Sequence, residues 1–352
     1  MAKLEATIAS IFPTDQKAAA AAARRQAALT KPAGSLGDLE YLSVRIAGMQ
    51  GSAAPIAEPG AIFVMAGDHG VCAEGVSAYP ADVTKAMVLN FVAGGAAINV
   101  LARRAGARVV VTDAGVACDF DPALPIHHRK IAKGTGNFAR GPAMSREEAI
   151  RSIETGIEVF EEELLKQPFR IAATGDMGIG NTTASTAMAA IFTGRSVPDL
   201  VGRGTGVDDA GLARKVAVIE AALKLHSPEA SDPVGVLAAV GGFEIGALAG
   251  VALAAAARRI PVLIDGYISG AAALLAAALC PLSREYMLGT HVSGDAGHAI
   301  MLEFLGLKPL LRLGMRLGEG TGAALAMPLC AAACAVLNEM ATFESAGVSG
   351  KL

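Results

Sequence analysis

Charge of one sign is what this chain has least of. Its 352 residues carry 30 Lys plus Arg against 33 Asp plus Glu, a formal net charge of −3. No strong field or charge run is available to attract a polyanion, which argues against nucleic acid or an anionic membrane surface as a partner. Cysteine is scarce too. Cys72, Cys118, Cys280, Cys330 and Cys334 form an odd set without metal-type pairing, closer to reduced thiols than to a disulfide framework, and a cytoplasmic location is expected. Residues Met1 to Ala6 lack the apolar core of a signal peptide, and Asp15, Gln16 and Lys17 soon follow. No internal repeat or low-complexity linker stands out.

Several chemical signatures are missing as well. There is no Walker A run and no Gly-x-Ser-x-Gly elbow. The dinucleotide fingerprint fails at Gly178-x-Gly180, because Thr183 stands where the third glycine belongs. Gly318-x-Gly320-x-x-Ala323 and Gly134-x-Gly136-x-x-Ala139 meet only a looser form and follow no convincing strand. An NAD-dependent oxidoreductase is therefore the weaker enzymatic alternative. No metal or other cofactor is expected: His127 and His128 are adjacent and face apart, while His291 and His298 lack ligand-spaced partners. Cys72, though near Asp68-His69, shows no sign of an activated thiolate.

Apolar residues, by contrast, are plentiful, at 53 % of the chain with a mean hydropathy of +0.45. A membrane or scaffold protein is the non-enzymatic alternative. The best candidate span, Val234 to Ala257, contains Glu244 and draws its hydropathy mainly from alanine and glycine; Gly266 to Leu282 is the other. Gly242, Gly246 and Gly250 are spaced for close helix packing, which suits a tight soluble core equally well. Membrane insertion is not expected.

Four apolar runs each end in acid and glycine. Ala61 to Ala66 leads into Asp68, Arg108 to Thr112 into Asp113, Arg170 to Thr174 into Asp176, and Pro261 to Ile264 into Asp265. Long helical stretches separate them, so the spacing predicts an α/β fold, a Rossmann-like parallel sheet with helices on both faces. Ligands bind such sheets outside the carboxyl ends of the strands, where these four aspartates would gather, although a lone strand-end Asp more often caps a helix. Helices are predicted from Lys17 to Leu29, from Asp38, and from Gly322 to Met340, with a frayed tail from Ser345 to Leu352. The terminal helices are expected to pair as a small domain, residues 1–59 with 311–352, beside a large domain of residues 60–310.

Two glycine-rich carboxylate segments carry the chemistry. Glu319, in Leu317-Gly318-Glu319-Gly320-Thr321, sits on a turn whose neighbours have no side chains to obstruct a ligand, a geometry that suits a catalytic base or, more blandly, a solvated turn. Gly175 to Thr183 opens a helix with unpaired backbone N–H groups, to which Asn181, Thr182 and Thr183 add donors. Gly202 to Gly206, followed by Lys215, offers a further turn and a cation that fit a monophosphate, or are an ordinary turn and a solvated helix charge. Asp68-His69 is a polar site pair or a capping turn.

Taken in order, Lys31-Pro32-Ala33-Gly34-Ser35-Leu36-Gly37, Asp68-His69-Gly70-Val71, Gly175 to Thr183, Val240-Gly241-Gly242-Phe243-Glu244 and Met315 to Ala326 cover essentially the whole chain. This set closely resembles the nicotinate-nucleotide–dimethylbenzimidazole phosphoribosyltransferase family. The resemblance implies transfer of 5-phosphoribose from nicotinate mononucleotide to an aromatic base, without a cofactor, by a homodimer. It implies Glu319 as the catalytic residue. It puts nucleotide contacts on Asp176, Gly178, Gly180, Gly204, Lys215, Asp265 and Ser293, beside the donors Asn181 and Thr182 already read from the loop, and the base pocket on Pro80, Met177 and Leu317. Asp176 stands where the family more often has glutamate, and Ala81 and Leu89 replace polar residues of the base pocket, which implies looser base choice.

Overall fold

The computed structural model describes residues 2–349; residues 350–352 of the expected frayed tail lie outside the described residues. Seven strands form one sheet: β1 (Gly60–Gly67), β2 (Ala107–Gly115), β3 (His127–His128), β4 (Ile171–Met177), β5 (Val262–Ile264), β6 (Met287–His291) and β7 (Pro309–Leu311). Their order is β3-β2-β1-β4-β5-β6-β7, and every pairing is parallel. The four predicted strands are β1, β2, β4 and β5. The other three escape the sequence pattern because β3 and β7 are too short for any periodicity, and β6 carries Gly289 and Thr290 in its middle.

All of β1 is buried, which is why it reads as a continuous apolar run rather than an alternation. Its odd and even side chains serve opposite faces. Phe63 stacks on Phe160 at 5.5 Å, and Phe169 meets both rings edge-on. Ile62 lies on the other side, beneath Gly320. The first face is covered by helices Arg146–Lys166, Phe243–Ala257 and Tyr267–Leu279, the second by Thr321–Glu339 with Ala97–Ala105 and Asp38–Gln50.

Glycine permits the closest helix crossing. A methyl group on Gly156 would stand 1.8 Å from the Ala247 carbonyl oxygen, and one on Gly250 would stand 2.0 Å from that of Ile153. Gly246 meets Ser152 in the same way, so Gly246 and Gly250 pack as their spacing predicts, while Gly242 ends up as the N-cap. The apolar run Val234 to Ala257 is broken into Pro233–Val240 and Phe243–Ala257. Thr321–Glu339 is long and apolar enough to cross a membrane, as is Asp82–Ala105, which Gly94 and Gly95 divide into two helices. The first of these lies against β1, β4, β5, β6 and β7.

The two chain ends meet. Asp15 caps Gln16–Ala28 by accepting from the N–H groups of Lys17 and Ala18. Arg25 donates to the carbonyls of Leu337 and Asn338, Leu29 bridges Thr342, and Ala22, Ala47 and Leu337 form a small apolar cluster of their own. Ala2–Ala9, however, packs on the opposite side against Arg146–Lys166 and Phe243–Ala257.

Candidate active site

The sheet order reverses between β1 and β4, and a crevice opens outside the carboxyl ends of the strands there, as expected of open parallel sheets. It holds a cavity of about 640 Å³, a size that suits a small-molecule ligand. A larger open depression runs along Arg129, Lys130, Arg146 and Arg151. Those cations are already paired with Glu162, Asp113, Asp232 and Glu158, so among the described residues they offer no unpaired cation to a ligand.

Glu319 forms one wall of the cavity and is 5 % exposed. Gly318, Glu319 and Gly320 adopt φ of +85°, +62° and +90°, three successive left-handed residues. Glycine takes this freely, whereas for glutamate it costs roughly 1–2 kcal/mol. The loop is pressed onto β4: a methyl on Gly175 would stand 2.5 Å from the Glu319 carbonyl oxygen. Oε2 of Glu319 accepts from the Ile98 N–H at 3.2 Å, at the start of Ala97–Ala105. That helix begins at Ala96, whose side chain cannot cap it, so Glu319 supplies the acceptor from far along the chain. Burial pushes the Glu319 carboxyl above its ordinary value, and the Ile98 N–H partly offsets this.

Asp176 closes the floor at the end of β4. Asn181 Nδ2 donates to its Oδ2 at 2.9 Å, and Oδ1 has no hydrogen-bond partner among the described residues. Burial first, then the charges of Asp265 and Glu244, hold this carboxyl well above the usual range, favouring its hydrogen-donating form. Gly178 passes so close to β1 that an added methyl would stand 2.3 Å from the Gly67 carbonyl oxygen. Gly180, at φ +94°, is the N-cap from which helix Asn181–Thr193 starts.

On the far side, Lys215 lies wholly inside the protein rather than on a solvated helix face. Its Nζ donates to Thr182 Oγ1 at 3.0 Å and to the Gly202 carbonyl at 3.1 Å, and burial lowers its pKa to about 8. Gly204, Ser293 and Asp295 line the cavity nearby, and Arg316 donates to the Gly204 carbonyl at 3.1 Å. His298 accepts from the Ser293 N–H at 2.9 Å and shapes that loop.

A family model described as a phosphoribosyltransferase matches residues 11–348. The enzymes named nicotinate-nucleotide–dimethylbenzimidazole phosphoribosyltransferase from Chloroflexus aggregans (strain MD-66 / DSM 9485) and Roseiflexus sp. (strain RS-1) are 59 % and 58 % identical. Each alignment spans 100 % of this chain and 99 % of the relative. The crystal structure of the enzyme of that name from Thermus thermophilus superposes with a TM-score of 0.90 at 45 % identity, covering 96 % of this chain and 100 % of that one. The chain belongs to this phosphoribosyltransferase family.

Neither an oxidoreductase nor a scaffold describes such a phosphoribosyltransferase. Of the residues singled out in the sequence, Asp176, Met177, Gly178, Asn181, Thr182, Gly204, Ser293, Leu317 and Glu319 line the one cavity. Gly180, Lys215 and Asp265 stand behind its wall. Pro80, Ala81 and Leu89 are not in the lining of this cavity; Tyr79, Val83 and Met87 are, and Val83 and Met87 share a face of Asp82–Ala93 that Leu89 does not. Asp68 and Asp113 are structural, accepting from the N–H groups of Ala117 and Val116, so only Asp176 of the four strand-end aspartates reaches the cavity. Lys31 pairs with Glu40 at 2.7 Å within its own turn. Sequence reasoning missed His291, Asp295 and Arg316 as cavity residues, although Asp295 lies between Gly294 and Gly297 and Arg316 falls within the Met315 to Ala326 motif, and it missed Tyr79, Val83 and Met87, which stand in no glycine-rich acidic pattern. Among the described residues, no three His, Cys, Asp or Glu side chains stand together to hold a metal ion.

Proposed function

We propose that Glu319 is the general base by which this phosphoribosyltransferase moves 5-phosphoribose from nicotinate mononucleotide to dimethylbenzimidazole. The observation that carries this is a buried carboxylate on the cavity wall with one oxygen spoken for. Oε2 is held by Ile98, and Oε1 accepts no hydrogen bond among the described residues. An azole must lose its N–H as its other nitrogen attacks C1′, and Oε1 is the acceptor. The raised pKa makes that carboxylate a stronger base than a solvated one. Nicotinate departs from a cationic pyridinium, so its nitrogen needs no proton and the enzyme needs no matching acid. Attack opposite the leaving ring turns a β-glycoside into an α-glycoside.

The nucleotide reading is supported by the donors at the other end of the cleft: Thr182, Ser293, Arg316 and, behind them, Lys215. Asp176, in its donating form, suits a ribose hydroxyl. Tyr79, Val83, Met87, Met177 and Leu317 make an almost wholly apolar slot for the base. Such a slot fits a methylated benzimidazole and discriminates weakly, by roughly 1–3 kcal/mol for each missing methyl. Related benzimidazoles are therefore accepted, and adenine, whose ring edge is polar, is disfavoured.

The order outward from the switch point supports a Rossmann-like reading with one strand added. Of the expected unit of residues 1–59 with 311–352, we read residues 10–59 with 311–349 as a helical unit on the support of the Arg25 and Leu29 contacts, and residues 60–310, with helix Ala2–Ala9 packed on them, as the nucleotide-binding body. A cytoplasmic homodimer completes the proposal, in keeping with five free cysteines.

The test is to incubate purified protein with nicotinate mononucleotide and a panel of aromatic bases and to identify products by mass spectrometry. Glu319→Gln should lose roughly 10²–10⁴ in turnover while both substrates still bind. Near-normal turnover of that variant would remove Glu319 from the role.

A further inference from the structure

We infer that Asp265 is the residue that positions the Glu319 carboxylate, by capping a helix that is not its own. The inference rests on the reading of Glu319 as the base.

Asp265 follows β5 directly and precedes helix Tyr267–Leu279. A strand-end aspartate in that place ordinarily caps the helix it introduces. Here Gly266 is the N-cap of that helix, and no side chain caps it. Both carboxylate oxygens go instead to the start of Thr321–Glu339. Oδ2 accepts from the Gly320 N–H at 3.2 Å, and Oδ1 accepts from the Ala323 N–H at 2.9 Å. Gly320 is the N-cap of that second helix and has no side chain to satisfy its free N–H groups. It is also the next residue after Glu319.

The anchor is itself fixed on both sides. The Asp265 N–H donates to Thr174 Oγ1 of β4 at 3.3 Å, and the Asp265 carbonyl accepts from Thr290 Oγ1 of β6 at 3.0 Å. Two neighbouring strands thus hold the aspartate, the aspartate holds Gly320 and Ala323, and these hold Glu319. Without such a tether, a run of three left-handed residues flanked by glycine has many conformations open to it. Asp265 is fully buried and off the cavity wall, so neither oxygen is presented to a ribose. A reactive carboxylate held to a fraction of an ångström needs a support of this kind.

The experiment is a kinetic double-mutant cycle on the whole enzyme with nicotinate mononucleotide and dimethylbenzimidazole. Asp265→Asn keeps the shape but puts an amide N–H against one helix N–H. It should lower kcat by about 10²-fold, the scale of a 1 Å misplacement, with KM for nicotinate mononucleotide changed by less than about threefold. In a Glu319→Gln background the same change should cost less than about twofold, because nothing remains for it to position. Three results overturn the inference: an unchanged kcat, a tenfold or larger rise in that KM at constant kcat, or an equal loss of kcat in both backgrounds. Should Asp265→Asn fail to fold, Asp265→Ser, whose hydroxyl can still cap one N–H, is judged by the same three results. Glu319→Gln measured alone reports separately on the base, so failure of that reading is told apart from failure of this one.

Discussion

At the scale of the residue, the chemistry depends on backbone as much as on side chains. Gly175 has no side chain where a methyl would stand 2.5 Å from the Glu319 carbonyl oxygen. Gly175→Ala should therefore push the catalytic loop outward and lower kcat by about 10–100-fold, read by steady-state kinetics, while circular dichroism stays native. The raised pKa of Glu319 also fixes a sign. In its proposed role as base the carboxylate is the active form, so kcat should fall on acidification with a midpoint above the ordinary 4.5, and the limb should vanish in Glu319→Gln. A midpoint at or below 4.5 would assign the titration to another group. The Gly-Glu-Gly run is plain in the sequence, and so is the role it suggests. The Ile98 N–H that holds the carboxylate is not, because a backbone donor has no letter; its only trace is an alanine, Ala96, where a capping side chain would normally stand.

Among the elements, what can be read is whatever repeats. β1, β2, β4 and β5 end in acid and glycine and are visible. β3 and β7 span too few residues to show a pattern. On helix Asp82–Ala93 the residue singled out in the sequence, Leu89, lies one face away from Val83 and Met87, which line the cavity. The spacing of Gly246 and Gly250 correctly signals close packing, yet their partner Gly156, on a helix of quite different composition, gives no sign of belonging to it. Gly156→Ala must separate the two helices or strain the Ala247 carbonyl, and should destabilise the fold by about 1–3 kcal/mol in urea denaturation. Wild-type stability for that variant would mean that the crossing is looser than 1.8 Å implies.

For the whole molecule, much of the high hydropathy sits in helices buried along nearly their whole length, such as Phe243–Ala257, whereas the apolar stretch Asp82–Ala105 is only 28 % buried. Family membership is readable because four of the five separated motifs meet at the carboxyl ends of β1 and β4, while Lys31 to Gly37 is tied to Glu40. Burial also fixes how stability responds to acid. His298 is buried and its pKa falls to about 3 from 6.5. Unfolded chains take up its proton below pH 6.5 and the folded protein does not, so this residue's contribution is present above 6.5 and drains away as pH falls toward 3. Relative to His298→Gln, the wild type should lose roughly 2 kcal/mol between pH 6.5 and about pH 5. Parallel stability curves for the two proteins would show that some other group sets the acid limit.

Leu317 and Glu319 are two positions apart, yet one is 59 % exposed and the other 5 %. In their proposed roles, recognition and reactivity thus share a single bend of one cavity wall, one residue open to solvent and the other enclosed. On that proposal, an engineer who varies only the exposed residue should retune which heterocycle is accepted while Glu319 keeps its place, which makes position 317 the site for a library aimed at unnatural α-ribosides.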